Sequence, residues 1–311
     1  MMLRARWRRI SVVPLAAMIA GASMGTATTP AARPASGAPA SAAAAPSTVL
    51  PQVLERALDR KDPLALADTT LPRLADLDSV QRARVAERLA GWDLGRQVAA
   101  WAFLQVGTPY RLGPLGEEAP PDTDPLIEFK TTDCAVLNLV SAALAHARDA
   151  GGERAALAIA NYRGGVVSYA TRLHFTTDRL DSSPYYRDIT ERVGGRACRR
   201  RTVVLNQKTD GGRWIPIEWS RPREVLYLPR ALGSRFASWY DRGRLPAATG
   251  VAFVQVSSMD GLDVVHESML WRGRTFLHAS SRTGRVVTMP WTEFLAGPGR
   301  RYDGFVLFEY R

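Results

Sequence analysis

Residues 129–147 read FKTTDCAVLNLVSAALAHA, and the reading of this stretch decides the fold. Beyond Cys134 the run is apolar on nearly all sides, as in a helix buried all round. Asp133 is a natural N-cap for that helix, with Thr132 the alternative. Cys134 then falls in the first turn, and it is one of 2 cysteines among 311 residues. Three roles are open to it: half of a disulfide with Cys198, a small core residue, or a nucleophile. Partial positive charge at a helix N-terminus lowers a thiol pKa, which favours the last.

Upstream, Val53, Leu54, Ala57, Leu58, Leu71, Leu74, Val80, Val85 and Leu89 recur at helical spacing among polar residues, predicting short amphipathic helices. A further helix is expected from Leu94 to Val106, stopped by Gly107 and Pro109. A polar, proline-rich loop, GEEAPPDTDP, leads into the opening stretch. Downstream the character changes. RTVVLNQ, EVLYLP, GVAFVQVSS, LDVVHESMLW, RTFLHASS, GRVVTM and YDGFVLFEYR are β-rich segments separated by turn residues. Helices followed by strands predict an α+β fold.

The chain opens with Arg4, Arg6, Arg8 and Arg9 ahead of a short apolar run, Ile10–Ala20, and a small-residue site at Ala20-Gly21-Ala22. This is the pattern of an export signal, expected over residues 1–25, and the run is too short to span a bilayer. Residues 26–48, rich in Ala, Pro and Ser, read as a flexible linker. Residues 49–92 are expected as a helical extension and 93–311 as the catalytic domain. The full chain carries a formal charge of +11, and without the signal arginines about +7. In an exported protein of the periplasm or cell envelope, this basic balance, densest in RACRRR (196–201), suits anionic envelope surfaces better than nucleic acid. The bland alternative is a solvated loop. Oligomeric state leaves no mark in the sequence.

A cysteine nucleophile needs a base, usually an imidazole. His146, 12 residues along the same helix, would lie about 18 Å away and is excluded as a partner. His174 either lines a pocket or packs. His266 and His278 lie on adjacent strand-like segments joined around Trp271-Arg272-Gly273. With those three residues as the loop, Leu270 stands opposite Arg274 and His266 opposite His278, both imidazoles on one face. One ring can then act as base and the other can fix its tautomer. A two-residue loop at Arg272-Gly273 would place them on opposite faces. A zinc site is the competing use, with Asp263 and Glu267 nearby, but no His-Glu-x-x-His pattern is present and neither metal nor cofactor is expected.

Taken together, VGTPYRLG, then TTDC opening a helix, YRGGVVSYATRLHFTTDRLDSS, GLDVVHESML and FLHASSRTGRVV resemble the N-acetylmuramoyl-L-alanine amidase-like family, from about Trp101 to Arg311. The resemblance implies the papain-like fold of the NlpC-type cell-wall cysteine peptidases. It implies Cys134 as nucleophile, His266 as base and His278 as orienting partner. It also places Tyr110, Asp133, Arg172, His174 and Ser280 on the substrate side, with Arg172 able to clamp a stem-peptide carboxylate. The substrate it implies is peptidoglycan or muropeptides, cleaved at the N-acetylmuramoyl-L-alanine bond or within the stem peptide. Two stretches depart from the family pattern. Ala135-Val136-Leu137-Asn138 stands where relatives carry Thr or Ser and then Phe-Val-Glu, and His266-Glu267-Ser268-Met269 where they carry His-Val-Gly-Ile. The Glu267 carboxylate either raises the pKa of the base or points to the other face. A wall-binding protein without turnover and an acyl transferase or lipid esterase are the other classes these residues allow.

Overall fold

The computed structural model describes residues 49–147, 149, 151–256 and 260–311. The expected export signal and linker lie outside the described residues. Among the described residues six α-helices precede all the strands: α1 (Gln52–Asp59), α2 (Ser79–Leu89), α3 (Leu94–Phe103), α4 (Cys134–His146), α5 (Gly152–Asn161) and α6 (Thr176–Ser182). Aspartates start three of them. Asp78 accepts from the Gln81 N–H, Asp93 from that of Arg96, and Asp133 from those of Ala135 and Val136. The α3 helix ends at Phe103, three residues before the expected Val106. Tight turns then carry the chain to Gly107, whose φ of 86° suits glycine.

Eight strands form one sheet: β1 (Tyr186–Asp188), β2 (Arg199–Leu205), β3 (Arg221–Pro229), β4 (Ala248–Val254), β5 (His266–Trp271), β6 (Thr275–Ser280), β7 (Arg285–Pro290) and β8 (Gly304–Tyr310). Their order is β2-β3-β8-β4-β5-β6-β7, with β1 also on β8, and every pair is antiparallel. Three short helices interrupt the strands: α7 (Thr190–Gly194), α8 (Phe236–Asp241) and α9 (Trp291–Ala296). The architecture is thus mixed helix and antiparallel sheet, and its short late helices escape a reading based on strand periodicity.

Both faces of the sheet are covered, so β4 is buried at every position. On one face Ala252, Val254, Met269, Trp271, Leu277 and Phe308 pack with Phe103, Leu137 and Val140 of α3 and α4. Leu54 and Leu58 of α1 and Val85 and Leu89 of α2 share that cluster, so the helical extension packs into the same core. On the other face Val251, Phe253, Leu270, Phe276 and Phe305 meet Phe236, Trp239, Trp291 and Phe294 of α8 and α9.

The β5–β6 loop sits one residue later than expected, which shifts the pairing by two. Trp271 stands opposite Thr275, Leu270 opposite Phe276 and Met269 opposite Leu277. The loop is therefore Arg272-Gly273-Arg274. Trp271 is held in the ladder because it also pairs with Ala248 on β4 and packs edge-on against Phe103, ring centroids 6.4 Å apart. Arg272 and Gly273 both take positive φ, 49° and 67°. In this register His266 would face Ser280, with His278 its diagonal neighbour. Each partner has moved by two, an even number, so both histidines stay on one face.

Candidate active site

The thiol, the imidazoles and their surroundings come from three elements. Asp133 closes the start of α4: Oδ1 accepts the N–H groups of Ala135 (2.9 Å) and Val136 (2.8 Å), and Oδ2 accepts that of Gly113 (2.9 Å). Both oxygens of Asp133 are thus committed to backbone, which fixes the helix start and the loop above it instead of presenting a carboxylate to substrate. Cys134 follows, half-buried. Neither it nor Cys198 is in a disulfide, and the Cys198 thiol donates to the Thr190 carbonyl at 3.4 Å.

The next contact brings β5 to the thiol. The backbone N–H of Glu267 and that of Ala135 both favour the thiolate of Cys134. They do not prevail. Burial pushes the thiol up, and the Asp133 and Glu267 carboxylates push it further, so it rests as a neutral S–H. The helix-start effect expected from sequence is present in the Ala135 N–H, but burial outweighs it.

His266, one residue before Glu267, donates or accepts through Nε2 to Nδ1 of His278 at 2.9 Å. That contact occupies Nε2 and leaves Nδ1 of His266 as the nitrogen available to a thiol. If Nδ1 is to accept a proton, Nε2 carries the hydrogen and His278 accepts it at Nδ1. Phe253 and Phe276 crowd the two rings, at 5.4 Å from His266 and 4.7 Å from His278. Burial, then the charges of His278 and Arg301, holds His266 well below the usual imidazole range. Burial and Arg301 bring His278 to about 4. Both rings are therefore neutral near pH 7.

Tyr110 and Tyr302 complete the surroundings. The Tyr110 hydroxyl is raised by burial and then by the charges of Cys134 and Asp133, which places it beside the thiol. Its backbone joins Thr132 in a parallel bridge and donates to the Gly284 carbonyl at 2.8 Å. Tyr302 also feels Cys134, and its ring lies parallel to that of His266, centroids 6.4 Å apart and planes at 9°.

The remaining candidates serve the frame. Arg172 already pairs with two carboxylates: Nε donates to Glu117 at 2.6 Å and Nη2 to Asp122 at 2.8 Å, which ties down the loop that carries the Ala119–Asp122 bridge. His174 bonds the Tyr169 carbonyl at 2.8 Å. Ser280 is buried and accepts the Thr283 N–H at 3.2 Å, closing the turn into β7. His146 stacks on Tyr185, ring centroids 3.8 Å apart.

Beneath the thiol lies a buried network that the sequence reading missed. The Glu267 side chain points away from His266, toward α4 and α6. It pairs with Arg179, accepts the Thr176 hydroxyl at 2.6 Å and the Asn138 amide at 3.2 Å. Asn138 in turn accepts the Tyr310 hydroxyl at 2.8 Å. Arg179 and Glu267 are each only 3% exposed. The two departures from the family pattern, Asn138 and Glu267, thus touch each other. One signal was available: Glu267 alternates with Met269 and Trp271 on the inward face of β5, where a carboxylate demands a cation. Arg179, Arg301 and Tyr302 carry no local signal at all.

Among the described residues no group of three or more His, Cys, Asp or Glu side chains is placed to hold a metal, and no helix is long and apolar enough to cross a membrane.

A capped helix start bearing a cysteine, next to two strands that share a bonded histidine pair, has the makings of a nucleophile–base site. The chain belongs to the N-acetylmuramoyl-L-alanine amidase-like family, whose model matches residues 100–298. Among solved structures, a protein from Legionella pneumophila str. Philadelphia 1 is similar with a TM-score of 0.59 at 19% identity, over 75% of this chain and 94% of that one. An N-acetylmuramoyl-L-alanine amidase from Bacteroides uniformis ATCC 8492 is similar in two structures, with TM-scores of 0.51 and 0.50 at 19% and 18% identity. Each covers 70% of this chain and 99% of that one. At such identities the likeness is one of fold. No curated protein matches the sequence.

Proposed function

We propose that the protein is an exported cysteine amidase of the papain-like, NlpC-type group that cleaves the N-acetylmuramoyl-L-alanine bond of peptidoglycan or its fragments. The observation that supports this reading is that Cys134, at the capped start of α4, meets the backbone N–H of Glu267, the residue next to His266, whose ring is bonded to His278. Membership of the amidase-like family selects the substrate class. The name of the Bacteroides uniformis amidase agrees with that choice.

The neutral resting state sets the order of proton transfer. As Sγ of Cys134 attacks the lactyl carbonyl, Nδ1 of His266 takes the thiol proton, and His278 accepts the hydrogen bond that steadies the ring. Asp133 takes the N–H groups of Ala135 and Val136 and leaves that of Cys134 for the oxyanion. The imidazolium then gives its proton to the departing alanine nitrogen, and the C–N bond breaks to leave a thioester. Water, deprotonated by His266, releases the muramic carboxylic acid and restores the thiol.

Digestion of purified muropeptides, with mass spectrometry of the products, tests the reading. Wild type should yield free stem peptide with an N-terminal alanine, and Cys134→Ala should not. Cleavage only between stem-peptide residues would replace the amidase reading by an endopeptidase one, and no cleavage would remove it.

A further inference from the structure

Arg172, the arginine that resemblance offers as a carboxylate clamp, already holds two carboxylates and is 15% exposed at its side chain. Another arginine at this site is in the opposite condition. Arg301 is exposed, at the end of the 3-10 turn Pro298–Arg301 that follows α9. Among the described residues no Asp or Glu forms an ion pair with it. Asp303, two residues on, is turned to the Val256 N–H at 2.6 Å.

The guanidinium is nevertheless fixed in place. Its Nη2 donates to the Tyr302 hydroxyl at 2.5 Å, and its carbon lies 4.8 Å from the centre of the same ring. Tyr302 is buried and parallel to His266, so the guanidinium is anchored at the edge of the nucleophile–base site. One of five N–H donors is used by that bond, and the second Nη2 N–H can still fork with a neighbouring N–H, on Nε or on Nη1, toward a planar anion. The neighbouring Arg300 and Arg230 are also exposed, and neither has a carboxylate partner among the described residues.

We propose that Arg301 is the carboxylate-binding residue of this site, receiving a free carboxylate on the peptide side of the scissile amide. The proposal rests on the amide-hydrolase reading above and adds the substrate feature that the site selects. An occupied Arg301 has a second consequence. Its charge holds both histidines down, and a bound carboxylate cancels that charge, so substrate itself makes His266 a stronger base.

The test uses two synthetic N-acetylmuramoyl-L-alanyl dipeptides, one whose second residue carries a free α-carboxylate and one in which it is a carboxamide. Binding is measured calorimetrically to Cys134→Ala, and turnover with the wild-type thiol. The acid should be preferred by about 10- to 100-fold in Kd and in kcat/KM, mostly through KM. Arg301→Gln should bring the acid-to-amide ratio to near one, and Arg301→Lys should restore part of it. A ratio that Arg301→Gln leaves unchanged, or an equal preference in the parent, overturns the proposal while the amidase reading stands. If neither peptide is bound or cleaved, the amidase reading falls and this inference falls with it.

Discussion

Replacing Arg179 by methionine isolates the buried pair that underlies the thiol. Arg179 and Glu267 are each 3% exposed, and among the described residues the arginine is the only cation paired with that carboxylate. Without it, Glu267 keeps the Thr176 hydroxyl at 2.6 Å and the Asn138 amide at 3.2 Å, two neutral donors for a buried charge. Breaking a buried pair from one side costs about 3–5 kcal/mol, because the remaining charge is uncompensated. Replacing both partners by apolar residues removes the charge as well, so Arg179→Met with Glu267→Leu should recover most of that loss. Urea unfolding followed by fluorescence reads it directly. With a slope of about 3 kcal/mol/M, the single variant should lose roughly 1–1.7 M in midpoint and the double variant much less. The single variant should also alkylate differently at Cys134, since the Glu267 N–H meets the sulfur. A single variant within about 1 kcal/mol of wild type, or a double variant less stable than the single, would refute the reasoning.

Four further outcomes follow from the structure. The lowered histidines place the acid limb of activity well below the usual imidazole range. The kcat/KM profile should therefore stay flat through the ordinary imidazole range on the acid side of pH 7, and an acid limb near 6.5 would contradict the burial argument. The same shift bears on stability. His278 is held at about 4 in the folded state, so the unfolded chain binds more protons below the ordinary imidazole value. Stability is thus lost as pH falls from about 6.5 toward 4, by up to roughly 3 kcal/mol, readable as a falling Tm. The raised Cys134 thiol predicts iodoacetamide labelling that climbs about tenfold per pH unit through pH 9 without a plateau, and a plateau near neutrality would show a preformed thiolate. Gly273→Ala forces a Cβ to 2.5 Å from the Phe236 carbonyl at a φ of 67°. It should cost about 2 kcal/mol or more and lower kcat by disturbing the hairpin that sets the histidine pair, whereas unaltered stability would show the turn to be slack.

The parts of the site that sequence made legible were those governed by local rules. Asp133 caps α4 because a short side-chain acceptor before an apolar run has few other uses. His266 and His278 share a face because parity along a strand survives a register shift of two, even though Trp271 moved the loop by one residue. What escaped depends on chain segments far apart. Arg179 on α6 finds Glu267 across 88 residues, and Tyr302 reaches His266 only after β6, β7 and α9 have folded between them. Arg172 misled for a related reason: its type and motif suit a carboxylate clamp, but Glu117 and Asp122 fill it from a loop some 50 residues earlier. The thiol's resting state was also hidden, since a helix start argues for a low pKa and only the packed site shows burial and two carboxylates arguing for a high one.

The most direct measurement is kcat/KM on an N-acetylmuramoyl-L-alanyl substrate for wild type, Cys134→Ala, His266→Ala and the double variant. Two residues acting as one nucleophile–base unit predict that each single change costs at least about 10³-fold and that the double costs no more than the worse single. Activity within tenfold of wild type in Cys134→Ala, or losses that multiply in the double variant, would contradict the account.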